Sequence, residues 1–248
     1  MRDESTRIIE SWNEKAAIYS KQRKISEADF LVLDILEKAP HEKILEIGAG
    51  SGIIAKKMFD RFGESISHYT DLDASQEFIN IARKRLKKYG TCTRIEFICL
   101  PMNDYDYPIE KYDAVIAMSV IHHVRRKSIR KLVQSIYRAL RENGIFILLE
   151  DWAETPKTGT EQDLYTLRKI YGNKGESEYH QHWKYYCDVL KSIGFSHISR
   201  KTPRRNIDLE FFDGIKEIED ARRIISRLNK HVRLESRMTL ITGIKTNI

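Results

Sequence analysis

The stretch Lys43-Ile44-Leu45-Glu46-Ile47-Gly48-Ala49-Gly50-Ser51-Gly52 constrains this chain more than any other. Ile44, Leu45 and Ile47 read as a short buried strand, interrupted near its end by one acid, Glu46. Three glycines then alternate with small residues, and a helical pattern begins at Ile53. The order is strand, tight turn, helix. Glycine permits positive φ and lets a ligand approach the backbone closely. The start of the following helix offers unpaired N–H groups and a favourable dipole to an anionic group. The dinucleotide fingerprint requires a third glycine three residues after the second. That position is Ile53, and the glycine arrives early, at Gly52. A turn of this kind also serves simply to join a strand to a helix.

Further units of the same kind follow. Residues 5 to 39 read as two helices: Ile8, Ile9, Trp12, Ala16 and Tyr19 share one apolar face, and Ser26 is placed to cap a second run ended by Pro40. Residues 66 to 73 predict a second strand closing in two acids, Asp71 and Asp73, with a helix from Ser75 to Tyr89. A third strand spans Arg94 to Cys99, and a fourth, buried one runs from Ala114 to Met118. A helix from Lys127 to Leu140 is expected to stop at Arg141-Glu142-Asn143-Gly144, with glycine at the C-terminal turn. A fifth strand, 145 to 149, is closed by Glu150-Asp151-Trp152. Residues 153 to 180 look like an insertion near the substrate mouth, with a helix near 161 to 171 among Pro156, Gly159, Gly172 and Gly175. A helix over 183 to 193, a sixth strand from Gly194, a break at Pro203 to Arg205, one helix over 208 to 230 and a last strand over 238 to 244 complete the chain.

The pattern E-x-G-x-G-x-G at Glu46 to Gly52 resembles motif I of the class I S-adenosylmethionine methyltransferases. Asp73-Ala74-Ser75 resembles the family's D-x-S, and Tyr112-Asp113 through Ile121-His122-His123-Val124 its F-D-x-V and L-H-H-V blocks, as in the ubiquinone, menaquinone and small-molecule branch. L-R-E-N-G before strand five and L-x-x-I-G-F before strand six resemble two further family blocks, so the likeness covers roughly residues 40 to 200. The resemblance implies a Rossmann-like, doubly wound α/β fold: a seven-stranded sheet, mostly parallel with an antiparallel last strand. It implies a helical lid over residues 1–40 and a cofactor-binding domain over 41–248. S-adenosylmethionine would lie over Gly48, Ala49, Gly50 and Gly52, with Glu46 orienting the loop or holding the amino group. Asp73 would hold both ribose hydroxyls, as a carboxylate about 20 residues past a glycine turn can; Asp71 is its rival, and capping the next helix is the plainer role. The family's adenine-binding acid is missing or displaced near Pro101, so Met102 is the candidate for the adenine face and Asn103 or Asp104 for its edge. Tyr19 would lie near the methionine end and Met118 at the mouth of strand four.

Transfer of methyl from a sulfonium asks the protein for geometry and exclusion of water, and for a base only where the acceptor must lose a proton. His122 and His123 are the candidate bases, with anchoring of their loop as the alternative. Glu150 and Asp151 are candidates to orient an acceptor, Trp152 to stack on it, and His180, His182 and Trp183 to close the pocket. A metal held by His180-x-His182 with Glu150 or Asp151 lacks ligand spacing, and none is expected. The reading is therefore a methyltransferase with a small-molecule acceptor. The alternatives are an RNA or protein methyltransferase, or a fold relative that binds the cofactor without turnover.

Composition bears on the alternatives. Lys and Arg number 43 against 36 Asp and Glu, a net charge of +7, but the excess is diffuse and no nucleic-acid module is appended. The three cysteines form no C-x-x-C pair, which argues against a disulfide framework or structural zinc. No membrane span and no leader are evident, so the cytoplasm is the expected compartment.

Overall fold

The computed structural model describes residues 4–172, 178–231 and 234–246; Gly175 of the expected insertion lies outside them. The chain opens with helices α1 (Glu4–Gln22) and α2 (Glu27–Glu37), followed by β1 (Lys43–Ile47), α3 (Ile53–Phe62), β2 (His68–Asp73), α4 (Gln76–Leu86), β3 (Arg94–Cys99) and β4 (Tyr112–Met118). Then come α5 (Arg126–Ala139), β5 (Leu140–Asp151), α6 (Gly159–Gly172), α7 (Trp183–Ile193), β6 (Phe195–Lys201), β7 (Arg204–Asn206), α8 (Glu219–Leu228) and β8 (Glu235–Lys245). The strands form one sheet in the order β3-β2-β1-β4-β5-β8-β6, with β7 also paired to β8. β1 to β5 pair in parallel, and β8 runs antiparallel to β5, β6 and β7. The strand order reverses between β1 and β4, which puts a crevice at their C-terminal ends.

Alternation along the strands fills both faces. Val115 and Ala117 of β4 pack with Phe146 and Leu148 of β5 against Ile129, Val133 and Ile136 of α5 and Leu190 of α7. Ala114, Ile116, Ile145, Ile147 and Leu149 face the other way, against Val32, Leu33 and Leu36 of α2 and Ile54 and Met58 of α3. α2 therefore belongs to the core of the sheet, and only α1 of residues 1–40 lies over the cleft described below. α2 starts where Asp29 Oδ2 accepts from Ser26 N at 2.6 Å, closing its first turn.

Three expectations are corrected. The sheet has an eighth strand, because Pro203 interrupts the edge rather than ending it: β6 and β7 lie end to end along β8, and Pro203 O accepts from Met238 N at 2.9 Å. The stretch 208 to 230 is a 3-10 turn, Leu209–Ile215, and then α8, not one helix. Apolar spacing runs on across the break because Phe212, Ile215, Ala221, Ile225 and Leu228 all bury in one small cluster with Leu164 and Leu167 of α6. Arg141-Glu142-Asn143-Gly144 is the kinked start of β5 rather than a helix stop, with the left-handed turn at Asn143 (φ 61°) and a register shift opposite Tyr112 and Ala114.

Candidate active site

Gly48, Gly50 and Gly52 all adopt left-handed backbone, φ 65°, 58° and 69°. Each serves a different need. A Cβ on Gly48 would lie 2.3 Å from Val120 Cγ2, so the loop packs there against the segment after β4. A Cβ on Gly52 would meet Ala82 of α4 at 3.1 Å. At Gly50 nothing stands within 4 Å: this glycine faces the cleft, and it leaves a bare backbone cradle. Gly48 and Gly50 line the cleft, whereas Ala49 and Gly52 are buried behind it.

The acid closing β2 completes the cradle. Asp73 lines the cleft; its Oδ2 accepts from Gly50 N and its Oδ1 from Ser75 N, both at 2.8 Å. Burial lifts this carboxyl to about 6, against the pull of the two N–H groups. Asp71 lies deeper along β2 and does not line the cleft. It is fully buried, both its oxygens lack a hydrogen-bond partner, and burial holds its carboxyl well above the usual range. Glu46 also lies beneath the loop rather than in the cleft. Tyr69 Oη donates to its Oε2 at 2.6 Å, and burial lifts it to about 7.

α1 lies across this cradle. Trp12 meets Tyr19 edge-on at 5.6 Å between ring centroids, Phe78 at 6.0 Å and His123 at 5.9 Å. Asn13 Oδ1 accepts from Ser75 Oγ at 2.7 Å, and Arg85 donates to Ser20 Oγ at 3.0 Å, tying the helix to α4. Ile8, Trp12, Tyr19, Phe78, Leu100, Met102, Met118, Ser119, Val120 and His123 line the remaining space, about 150 Å³. Ligand pockets run to roughly 300–1,000 Å³, so α1 must swing outward before a nucleoside-sized ligand enters. Asn103 is exposed on the flanking turn and is not among the lining residues.

The second centre lies behind His123. His122 is buried (3% exposed), and its Nδ1 lies 2.7 Å from Glu150 Oε2. Glu150 Oε1 accepts from Ile121 N at 2.7 Å and Val120 N at 3.2 Å. Burial pushes His122 well below the ordinary histidine value and Glu150 up to about 8. Near neutrality both groups are therefore uncharged, with the Glu150 proton lying between Oε2 and Nδ1. On its other side His122 stacks on His180 at 4.6 Å, and His180 Nε2 lies 2.8 Å from Glu178 Oε2. The expected grouping at the end of β5 is divided by strand alternation. Asp151 points to the opposite face from Glu150 and pairs with Arg205 at 3.1 Å. Burial would raise Asp151, but Arg205 and the Ser119 hydroxyl outweigh it and hold it at about 2. Trp152 packs toward Tyr165 and the α6–α8 cluster, not over the cleft.

His122, Glu178 and His180 offer ligand atoms within 4.8 Å of one another, the one grouping of this kind among the described residues. Arg168, itself buried, is paired with Glu178, so its cation already answers the carboxylate a divalent ion would need. Of the residues expected to close the pocket, His180 joins His122, while His182 and Trp183 line a separate cavity. Sequence reasoning missed Glu178, Arg168 and Arg205. Arg168 comes from α6, Arg205 from the edge strand β7 and Glu178 from the stretch before His180, with no motif to mark any of them.

Residues 44–144 match the family model described as a methyltransferase domain. The chain is 27% identical over 183 residues to the citrinin polyketide synthase of Monascus ruber, covering 70% of this chain and 7% of that protein. It spans 3 to 7% of the length of the curated relatives it matches first. Among solved structures it is similar to Haemonchus contortus phosphoethanolamine N-methyltransferase 2 in complex with S-adenosyl-L-methionine, with TM-score 0.70 and 16% identity over all of this chain and 61% of that one. It is similar also to the CurJ carbon methyltransferase, with TM-score 0.60 and 17% identity over 94% of this chain and 57% of that one. At these identities the structural likeness speaks for the fold.

Proposed function

We propose that this chain, whose residues 44–144 match a methyltransferase-domain model, is a class I, S-adenosylmethionine-dependent methyltransferase that acts on a small molecule at a carbon flanked by carbonyl groups. The Gly50 cradle and the Asp73 carboxylate fit the donor: bare backbone faces its methionine end and an acid faces its ribose. Tyr19, Met102 and Met118 would enclose the rest. When bound, S-adenosylmethionine supplies a methyl group on a positively charged sulfur, already a good leaving group.

What remains for the chain is to hold the acceptor, exclude water and take a proton. The observation that carries the reading is the buried contact between His122 Nδ1 and Glu150 Oε2 at 2.7 Å. Once the pair has lost one proton, Glu150 is a carboxylate, His122 Nδ1–H donates to it, and Nε2 is left to accept a proton. Uptake of that proton leaves an imidazolium beside a carboxylate, and the pair becomes an ion pair in a poorly solvated site. Oxygen and nitrogen acceptors often need little help of this kind; a carbon acid needs it before its electron pair can form the new C–C bond. A polyketide synthase and a carbon methyltransferase among the similar proteins support a carbon acceptor. His123, on the cleft wall against Trp12, would shape the acceptor space.

The test is S-adenosylhomocysteine release with a small β-ketoacyl thioester as acceptor. His122→Asn is expected to lower turnover by about 10²–10⁴-fold, the range for a general base, while S-adenosylhomocysteine binding is retained. Turnover by His122→Asn equal to that of the parent chain would overturn the assignment of the base. A family member that binds the donor and releases no product with carbon, oxygen or nitrogen acceptors would instead be a binding protein.

A further inference from the structure

A second cavity, about 440 Å³, opens at the same end of the sheet, beyond β5 and between the end of β6, the start of β8 and the first turn of α7. It is larger than the space under α1, and its chemistry is different. Five of its lining residues are cationic, Lys157, Lys184, Arg200, Arg204 and Arg237, against one acid, Glu154. The arginines have partners: Arg200 and Arg237 approach Glu154 at 3.4 and 3.7 Å, Arg237 bonds to Glu161 and Arg204 to Glu235. Lys157 and Lys184 make no ion pair with a described acid, and both are exposed at the rim. A flat surface offers the plain alternative of solvated lysines. Here the lysines flank a concavity floored by an aromatic ring, since Trp183 is half-buried and carries the Arg200 guanidinium 4.1 Å above its centroid.

We infer that this cavity is a binding site for a phosphoryl group borne by an organic small molecule. Two ammonium groups outside any ion pair suit a dianion better than a carboxylate, and fixed arginine forks match phosphoryl oxygens in geometry. Thr155 and Thr202 line the same space. Trp183 is the aromatic surface the cavity offers an organic part, with Arg200 and Lys184 at 4.1 and 5.7 Å from its centroid. The location also ties the cavity to the proposed acceptor side. Tyr179 N donates to His122 O at 2.6 Å and His180 stacks on His122, whereas His182, Trp183 and Lys184, in the same short run, line the cavity. Three residues of extended chain span about 10 Å, so the cavity lies within about that distance of the histidine that stacks on His122.

Calorimetric titration of the full chain tests this without donor or turnover, so its failure is separate from failure of the methyltransferase reading, which S-adenosylhomocysteine titration reports. The probes are phenyl phosphate, phenol and inorganic pyrophosphate. Phenyl phosphate is expected to bind and phenol not to, with affinity falling as salt is raised. The double variant Lys157→Glu, Lys184→Glu is expected to weaken phenyl phosphate at least about tenfold through charge reversal and to leave S-adenosylhomocysteine affinity unchanged. Phenyl phosphate binding that survives the double variant, or no heat from it with the parent chain, overturns the site. Pyrophosphate binding more tightly than phenyl phosphate overturns the organic part of the assignment.

Discussion

Asp73 Oδ2 accepts a hydrogen bond from Gly50 N at 2.8 Å, so the acid that closes β2 is tied to the glycine loop that follows β1. One carboxylate both shapes the loop and faces the cleft. Asp73→Ala is therefore expected to weaken S-adenosylhomocysteine binding by about 1.5–3 kcal/mol, the worth of hydrogen bonds to a charged group. Asp71→Asn, one register step inside the core, is expected to leave affinity unchanged. Calorimetry on both variants checks the assignment; equal losses would hand the ribose to Asp71.

Protonation should be coupled to that binding. The ligand-free carboxyl of Asp73 is lifted to about 6 by burial. Ribose hydroxyls donating to it favour the ionised form, so binding is expected to release protons near pH 6 and to weaken as pH falls below that value. Titrations in buffers of different ionisation heat read the proton count directly. Stability has the opposite slope. A carboxyl raised in the folded state contributes stability that is full below its unfolded value and is lost as pH rises through the folded one. Asp73 at about 6, Glu46 at about 7 and Glu150 at about 8 thus predict a melting temperature that declines as pH rises from 6.5 to 8, whereas below 6.5 the lowered His68, His122 and His180 pull the other way.

Turnover should follow His122. Burial keeps this imidazole neutral, and its Nε2 is open to a proton only once Glu150, lifted to about 8, is ionised. Turnover is therefore expected to rise as pH passes through about 8 and to fall below it. A profile flat through pH 8 would point to a different base.

Gly48→Ala is expected to destabilise the fold. Its Cβ would stand 2.3 Å from Val120 Cγ2 on a left-handed backbone. Overpacking of this kind costs about 1–3 kcal/mol, read as a lower denaturation midpoint. Adding Val120→Ala should recover part of that loss by removing the methyl groups in conflict.

α1 should loosen on its own. Trp12→Ala removes ring contacts with Tyr19, Phe78 and His123, each worth about 0.5–1.5 kcal/mol. Hydrogen exchange over residues 4–22 is expected to accelerate, while the sheet, held by α2, α3 and α5, keeps its protection.

Local chemistry is what made the donor half legible in the amino-acid order. Gly48, Gly50 and Asp73 lie in short blocks where strand, turn and helix follow one another, so chain neighbours are also neighbours in space. Asp71 against Asp73 stayed open at that level, since two acids on the same side of a strand differ only in how far each lies from its end. The acceptor half was legible in its residue types but not in its arrangement. Glu150 and Asp151 are adjacent in sequence, and the pleat sends one to His122 and the other to Arg205. Glu178 and Arg168 reach His180 from a segment with weak periodicity, where no spacing rule applies. The break between residues 215 and 219 escaped notice because one cluster absorbs apolar side chains from both sides of it.

Val120 touches both halves at once. Its amide is held by the carboxylate that steadies His122, and its methyls abut the first glycine of the donor loop. Donor and acceptor walls therefore share a single partition one residue thick. A shift on either side is transmitted across it without any lever arm, and neither wall is free to be remodelled alone.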